Sequence, residues 1–377
     1  MKSNYTLFSI WGIPIRVHIS LLVFLPILVW LIGSGEQLTA YATLIEALTP
    51  ATVDAANLDG DYDRWLVGIG AAVGLFASVG VHELGHSWVA MRYDIRVDSI
   101  TLWILGGLAS LSEMPREWNR EFWIAVAGPA TSIGVGLVAL AVLVVTPESF
   151  TVLVFVLGFL TVMNLVLAVF NMVPAFPMDG GRVLRALLAR NRPYVSATRT
   201  AARVGPPFAI LFAFVGIVVV FSPLLVLLAL FIYVAATSES RSVVIGELLA
   251  DITVADLLAE SDPVPADTPL SEAFDRLLAA RRSDLAVVSE GTVVGVLTAS
   301  SLREVPLDQY ETTTAGEIAT DDVPRLQSDL SAFDALMELV RTRSDAAVVE
   351  RDGRTVGILT RDDINSLLDL RRETTAF

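Results

Sequence analysis

The sequence has no cysteine, one lysine and three histidines among 377 residues. Without cysteine there is no disulfide framework and no thiolate site, so any bound metal must be held by imidazole and carboxylate. Lys2 is the lone lysine, and arginine supplies the other 25 basic groups. Acidic side chains exceed basic ones by 15, which argues against a nucleic-acid partner. That excess is one-sided. Residues 1–245 carry 15 acidic and 14 basic side chains, whereas residues 246–377 carry 26 and 12. A lysine-poor, acidic surface suits a salt-rich cytoplasm, where cations screen self-repulsion, so a halophilic source is expected. The first apolar run is long and lacks a small-residue cleavage site, unlike a cleaved signal peptide.

Apolar residues are plentiful. They make up 54% of the chain, and the mean hydropathy of +0.63 is too high for an ordinary soluble protein. They concentrate in the near-neutral first part, in runs at Ile15–Leu31, Trp65–Tyr93, Phe122–Val145, Thr151–Val169 and Phe208–Val234. The last run exceeds one span and is divided by Ser222-Pro223, which reads as two short helices joined by a tight turn, with one kinked helix as the alternative. The segment between the first two runs, Gly35–Asp63, is polar and acidic and reads as a loop. Ser99–Leu111 is too short to span as a helix, and its β-prone residues around Gly106-Gly107 suggest a hairpin or re-entrant segment. Arginines cluster after the second and fourth runs, from Arg92 to Arg120 and from Arg182 to Arg203, and are absent after the first and third. With six spans this bias places both termini and residues 246–377 in the cytoplasm.

Inside the second run lies Val81-His82-Glu83-Leu84-Gly85-His86. Histidines four apart share one helix face, so His82 and His86 can ligate one zinc ion, with Glu83 placed as general base toward water on the metal. Two histidines and a glutamate at membrane depth are costly unless paired or metal-bound. A catalytic zinc takes a third protein ligand. Asp179 stands out as that ligand because it follows a span and precedes Gly180-Gly181; His18 is the alternative ligand, and an N-cap for the following helix is the alternative role for Asp179. Asn171 through Gly181 carries two prolines, which stop regular helix, and a glycine pair that lets the backbone approach a site closely. The small residues Ala127-Gly128-Pro129-Ala130-Thr131-Ser132 read as close helix packing.

The two motifs together resemble the site-2 proteases, the intramembrane zinc metalloproteases. His82-Glu83-Leu84-Gly85-His86 matches their HExxH, and Asn171-Met172-Val173-Pro174-Ala175-Phe176-Pro177-Met178-Asp179-Gly180 looks like their N-x-x-P-x-x-P-x-x-D-G. The resemblance covers roughly residues 1–240. It implies His82, His86 and Asp179 as zinc ligands and Glu83 as base, with Asn171 holding the substrate or the developing oxyanion. The Gly106-Gly107 hairpin resembles the family's segment lining the substrate cleft, and no inserted PDZ domain is visible. The expected activity is hydrolysis of a peptide bond in or near a spanning segment of a membrane-protein substrate, in contact with lipid. A transporter or channel using the intramembrane His and Glu as an ion path is the alternative from another class.

The acidic part contains a repeat with a period of about 61 residues. Leu285–Val288 and Gly295–Thr298 recur as Ala346–Val349 and Gly357–Thr360, each copy reading as helix, two short strands and helix. Units this small pack as a pair. The repeat resembles a tandem CBS module, with domains expected at 241–309 and 310–377. By resemblance it implies an adenine nucleotide near Thr360 and Asp363, regulation of cleavage, and a homodimer through the module. Asp363 equally suits the first turn of a helix, and in the first copy Ser301 stands at its position. The expected architecture is thus an α-helical polytopic membrane protein of about six spans with a short membrane-associated β-hairpin, followed by an α/β CBS pair.

Overall fold

The computed structural model describes residues 4–53, 58, 60–112, 115–219, 221–258, 263–280, 284–289, 292–321 and 323–375. They form two units, Met1–Ser240 and Arg241–Phe377.

The first unit opens with strands β1 (Asn4–Ile10) and β2 (Ile13–His18), followed by helices α1 (Ile19–Gly33) and α2 (Gly35–Leu48). The long helix α3 (Asp61–Met91) leads to strands β3 (Val97–Trp103) and β4 (Gly106–Leu111). Helices α4 (Trp118–Val145), α5 (Thr151–Asn171), α6 (Asp179–Ala189), α7 (Tyr194–Ala202), α8 (Gly205–Phe214) and α9 (Pro223–Leu248) follow. Among the described residues, five helical segments are long and apolar enough to cross a membrane, or six if the bent pair α1 and α2 counts as one span.

The expected hairpin at Ser99–Leu111 is present as β3 and β4, with Ile100 opposite Ala109. It belongs to a larger sheet in the order β1-β2-β3-β4. The first span is expected from Ile15, but Ile15–His18 belongs to strand β2 and α1 starts only at Ile19; β2 pairs parallel to β3 with Ile15 opposite Ile100. Its side chains alternate, Ile13, Ile15 and Val17 being buried, which is the period of a strand. The turn before it uses positive φ at Trp11 and Gly12.

Gly35–Leu48, read as loop, is a helix bent by 73° from α1. Its polar residues hide a buried stripe of Leu38, Ala42 and Ile45 at helical spacing. Ile45 packs where Gly158 of α5 carries no side chain; a Cβ there would lie 2.5 Å from it. Of the segment around Asp59-Gly60-Asp61-Tyr62-Asp63, also read as loop, Asp59 lies outside the described residues and α3 starts at Asp61. The final apolar run is two helices, with α8 extended by a π-helical turn at Val215–Val219 before α9 begins at Pro223.

The second unit repeats one motif. Helix α10 (Val254–Leu257), strand β5 (Val264–Pro265), helix α11 (Leu270–Ala280), strands β6 (Asp284–Ser289) and β7 (Thr292–Thr298) and helix α12 (Ala299–Arg303) form the first copy. Helix α13 (Ala315–Ile318), strand β8 (Arg325–Gln327), helix α14 (Ala332–Thr342), strands β9 (Ala346–Arg351) and β10 (Arg354–Thr360) and helix α15 (Arg361–Thr375) form the second. Each copy has a three-stranded sheet, β5-β6-β7 and β8-β9-β10, whose first strand joins in parallel. Strands β5 and β8 are too short to read from alternation. Ala286 and Val296 of one copy pack with Ala346, Val348 and Ile358 of the other in a shared buried cluster.

Candidate metal centre

Helix α3 carries His82, Glu83 and His86 in its last three turns. His82 and His86 are buried, at 4% and 5% exposure, and Asp179 at the start of α6 is buried at 7%. Asp179 arrives from the end of α5 through the turn Met172–Met178. That turn closes so tightly that a Cβ on Gly180 would sit 2.3 Å from the Val173 carbonyl oxygen, and one on Gly181 would sit 2.6 Å from the Phe176 nitrogen. Glycine at both positions is what lets α6 start against the turn.

Three ligand atoms converge. His86 Nε2 is 3.1 Å from His82 Nε2 and 3.1 Å from Asp179 Oδ2, and His82 Nε2 is 3.3 Å from the same oxygen. This is the only group of three such side chains among the described residues. His18, the alternative third ligand, is elsewhere: its Nδ1 accepts from the Ser20 backbone at 3.1 Å and caps α1.

The far ring nitrogens decide what the near ones can do. His86 Nδ1 lies 2.6 Å from the Ile124 carbonyl oxygen. A carbonyl only accepts, so Nδ1 carries the proton and the neutral ring turns a lone pair on Nε2 inward. His82 Nδ1 meets Ser132 Oγ at 2.9 Å, which gives the same arrangement when the hydroxyl accepts. Lone pairs from two imidazoles and a carboxylate then face one another in a buried space. A divalent cation relieves all three contacts at once. Zinc bonds of 2.0–2.2 Å in tetrahedral geometry separate ligand atoms by about 3.3–3.5 Å, close to the spacings here. A Cβ on Gly128 would fall 2.2 Å from His86 Nε2 and 2.7 Å from His82 Nε2. The donor set and the clearance fit a zinc ion.

Glu83 lies against the hairpin. A Cβ on Gly107 would sit 2.4 Å from its Cγ and 2.8 Å from its Oε1, so glycine lets β4 close over the carboxylate. The neighbouring Gly106 has φ +135°, a backbone state that other residues resist. Asn171, the last residue of α5, donates through Nδ2 to the Leu167 carbonyl oxygen at 3.0 Å. His82, Glu83, His86, Asn171 and Asp179 all border one cavity of about 390 Å³, edged by β4.

Several contributors were not legible as such. Gly128 and Ser132, packing residues by the sequence, clear and orient the histidines. Their spacing of four puts them on one face of α4, but nothing in the sequence says what that face meets. Arg185 enters the sequence reading only as one of the arginines that set the orientation, yet it is fully buried. Its Nε donates to Glu121 Oε1 at 2.7 Å, and its guanidinium stacks on Phe176 and Tyr194 at 4.9 and 5.1 Å. The pair ties α6, which presents Asp179, to α4, which presents Ile124 and Ser132.

Thr360 and Asp363 come together in the second unit. Thr360 Oγ1 is 2.8 Å from Asp363 Oδ2, which also accepts from the Thr360 backbone at 3.0 Å, and the Asp363 backbone donates to Thr360 Oγ1 at 3.2 Å. These bonds cap α15. Thr298 and Ser301 form the corresponding box at α12.

An HExxH helix whose two histidines converge with an aspartate from a second element, set among apolar helices, has the donor set of a membrane metalloprotease. The profile of peptidase family M50 matches residues 70–155 and 148–214, and that of the CBS domain matches 248–308 and 315–369. The Putative zinc metalloprotease Rip3 of Mycobacterium tuberculosis is 32% identical over 391 residues, covering 99% of this chain and 94% of that one. Zinc metalloprotease MJ0392 of Methanocaldococcus jannaschii is 29% identical over 380 residues, covering 99% of both. The solved Site-2 Protease from Methanocaldococcus jannaschii overlaps 63% of this chain and 95% of its own at 32% identity, with a TM-score of 0.42. The chain belongs to peptidase family M50, the site-2 proteases, and carries a CBS module. It is a zinc metalloprotease of the membrane rather than a transporter.

Proposed function

We propose that the protein hydrolyses a peptide bond within or beside a spanning segment of a membrane-protein substrate, as in regulated intramembrane proteolysis. The observation that carries this reading is the convergence of His82, His86 and Asp179 beside Glu83, in a cavity edged by a strand with a free side. Among the described residues strand β4 ends its sheet, so an extended peptide can add to it through main-chain hydrogen bonds. A spanning helix must first unwind, because its carbonyls are hydrogen-bonded and shielded.

His82, His86 and Asp179 would hold the zinc, which when bound supplies a Lewis acid to polarise the scissile carbonyl and acidify water. Glu83 takes the proton from the attacking water and delivers it to the leaving nitrogen. Ser132 and the Ile124 carbonyl hold the two rings in their ligating orientation. Asn171 offers its remaining amide hydrogen to the substrate carbonyl.

The arginine bias supports a multi-pass protein of the cell membrane with both termini and the CBS pair, residues 241–309 and 310–377, in the cytoplasm. The acidic, lysine-poor composition supports a saline cytoplasm. The repeat and the CBS match support control of cleavage by an adenine nucleotide near Thr360 and Asp363, and pairing of two chains through the module. A ligand can shift access to the cavity only by its differential affinity for two arrangements of the pair. The test is purified full-length protein in liposomes with a single-span substrate, with and without chelator, and with ATP, ADP or AMP added. Cleavage only at sites remote from the spanning segment, or cleavage that survives chelation, would refute the reading. Unchanged rates and no nucleotide binding would refute the regulatory part.

A further inference from the structure

Arg182 sits one turn after Asp179 on α6, and its side chain is 18% exposed. Its Nη1 is 3.7 Å from Asp179 Oδ1, too far for a hydrogen bond. Its Nε and Nη2 are buried and meet no acceptor among the described residues. The residue borders the same cavity as Glu83, Asn171 and the three metal-binding side chains. Buried charged donors are normally hydrogen-bonded, and one without a partner calls for an explanation. One turn further along the same helix, Arg185 meets the Glu121 carboxylate and the faces of Phe176 and Tyr194.

Nε–H and one Nη2–H lie along one edge of the guanidinium and form a planar fork that suits an anionic oxygen. We propose that Arg182 is a further catalytic residue, whose Nε–Nη2 edge receives the oxygen of the scissile carbonyl as it becomes an oxyanion. This rests on peptide hydrolysis in this cavity. In that reaction a bond forms between the water oxygen and the carbonyl carbon. The carbonyl π pair moves to oxygen while the proton passes to Glu83. When the pair returns, the C–N bond breaks and the proton goes to the departing nitrogen, leaving a carboxyl group and an amine. The charge on oxygen exists only between these events, so a donor that meets it there acts on the barrier rather than on substrate affinity. Asn171 is a weaker candidate for the whole task, since it is neutral and already donates to Leu167.

The experiment compares wild type, Arg182→Lys and Arg182→Gln as full-length protein on a cleavable single-span substrate. Zinc per chain is measured alongside, and so is binding of a phosphinic peptide that mimics the tetrahedral anion. Arg182→Gln should lower kcat about 100- to 1,000-fold, with KM within about threefold and zinc unchanged. Arg182→Lys, which keeps the charge and loses the fork, should fall between. The phosphinic peptide should lose affinity by a factor similar to that in kcat. Uncleaved substrate should bind equally to Glu83→Gln with or without Arg182→Gln. Loss of zinc with kcat per bound zinc unchanged would make Arg182 a brace for Asp179 and overturn the proposal. So would an unchanged kcat. If wild type cleaves no spanning substrate, the hydrolytic reading itself fails, and equal phosphinate affinity in wild type and Arg182→Gln still overturns the role of Arg182.

Discussion

Replacing Arg185 by methionine should detach Asp179, the proposed third metal ligand, without touching any of the three candidate ligands. Arg185 is 0% and Glu121 1% exposed, so the substitution leaves a carboxylate in the protein interior without its cation. Removing one partner of a buried ion pair costs about 3–5 kcal/mol. The aromatic faces of Phe176 and Tyr194 also lose their cation, for a further contribution of about 0.5–2 kcal/mol. Even the lower bound is more than a hundredfold in the population of the packed state, at about 1.4 kcal/mol per decade. Because the pair joins α6 to α4, the loss should appear as weaker zinc binding in competition with a chromophoric chelator, together with a lower Tm in detergent. Replacing both partners, Glu121→Met with Arg185→Met, removes the uncompensated charge, and such apolar replacements are often neutral or stabilising. The double variant should therefore recover most of the Tm. A single Arg185→Met variant with wild-type zinc affinity and Tm would refute the reasoning.

Other perturbations separate the parts of the site. Gly128→Ala puts a methyl group 2.2 Å from His86 Nε2 and should abolish zinc binding, read as metal per chain after dialysis. Glu83→Gln should keep zinc and fold yet lose cleavage by several orders of magnitude, measured on a single-span substrate. Gly107→Ala pushes against Glu83 with a Cβ 2.4 Å from its Cγ; it should retain zinc while kcat falls about tenfold or more through misplacement of the base. Asp363→Ala removes the side-chain half of the box at the start of α15, leaving the Thr360 cap, and should destabilise the second unit by up to about 1 kcal/mol, seen as a lower transition for that unit in a full-length melt.

What could be read from the sequence follows from where the determining contacts lie. His82, Glu83 and His86 are legible because four residues of helix bring two imidazoles together, and that spacing is local. Asp179 is distant, but without cysteine few ligands remain, so chemistry narrows the choice where spacing cannot. The strand Ile13–His18 was missed because its alternation merges into the apolar run of α1, and only Trp11-Gly12 marks the turn. The helix Gly35–Leu48 was missed because its polar residues outnumber the three that are buried. Gly128, Ser132 and the Ile124 carbonyl act across the contact of α3 with α4. Their meaning depends on which faces meet, and a single chain of letters does not carry that. Arg182 and Arg185 look alike as charges following a span, and only burial separates them from the surface arginines.

The two histidines differ in what holds them, and so in what substitution can reach. His82 is oriented by a side chain, the Ser132 hydroxyl, which Ser132→Ala deletes and Ser132→Thr displaces. His86 is oriented by the main chain at Ile124, a carbonyl present whatever residue stands there. The tilt and basicity of one imidazole are therefore tunable from a single codon, whereas the other is anchored to the path of α4 itself. A set of replacements at 132 should give graded metal affinity from an otherwise constant site, while no replacement at 124 removes the acceptor that fixes the tautomer of His86.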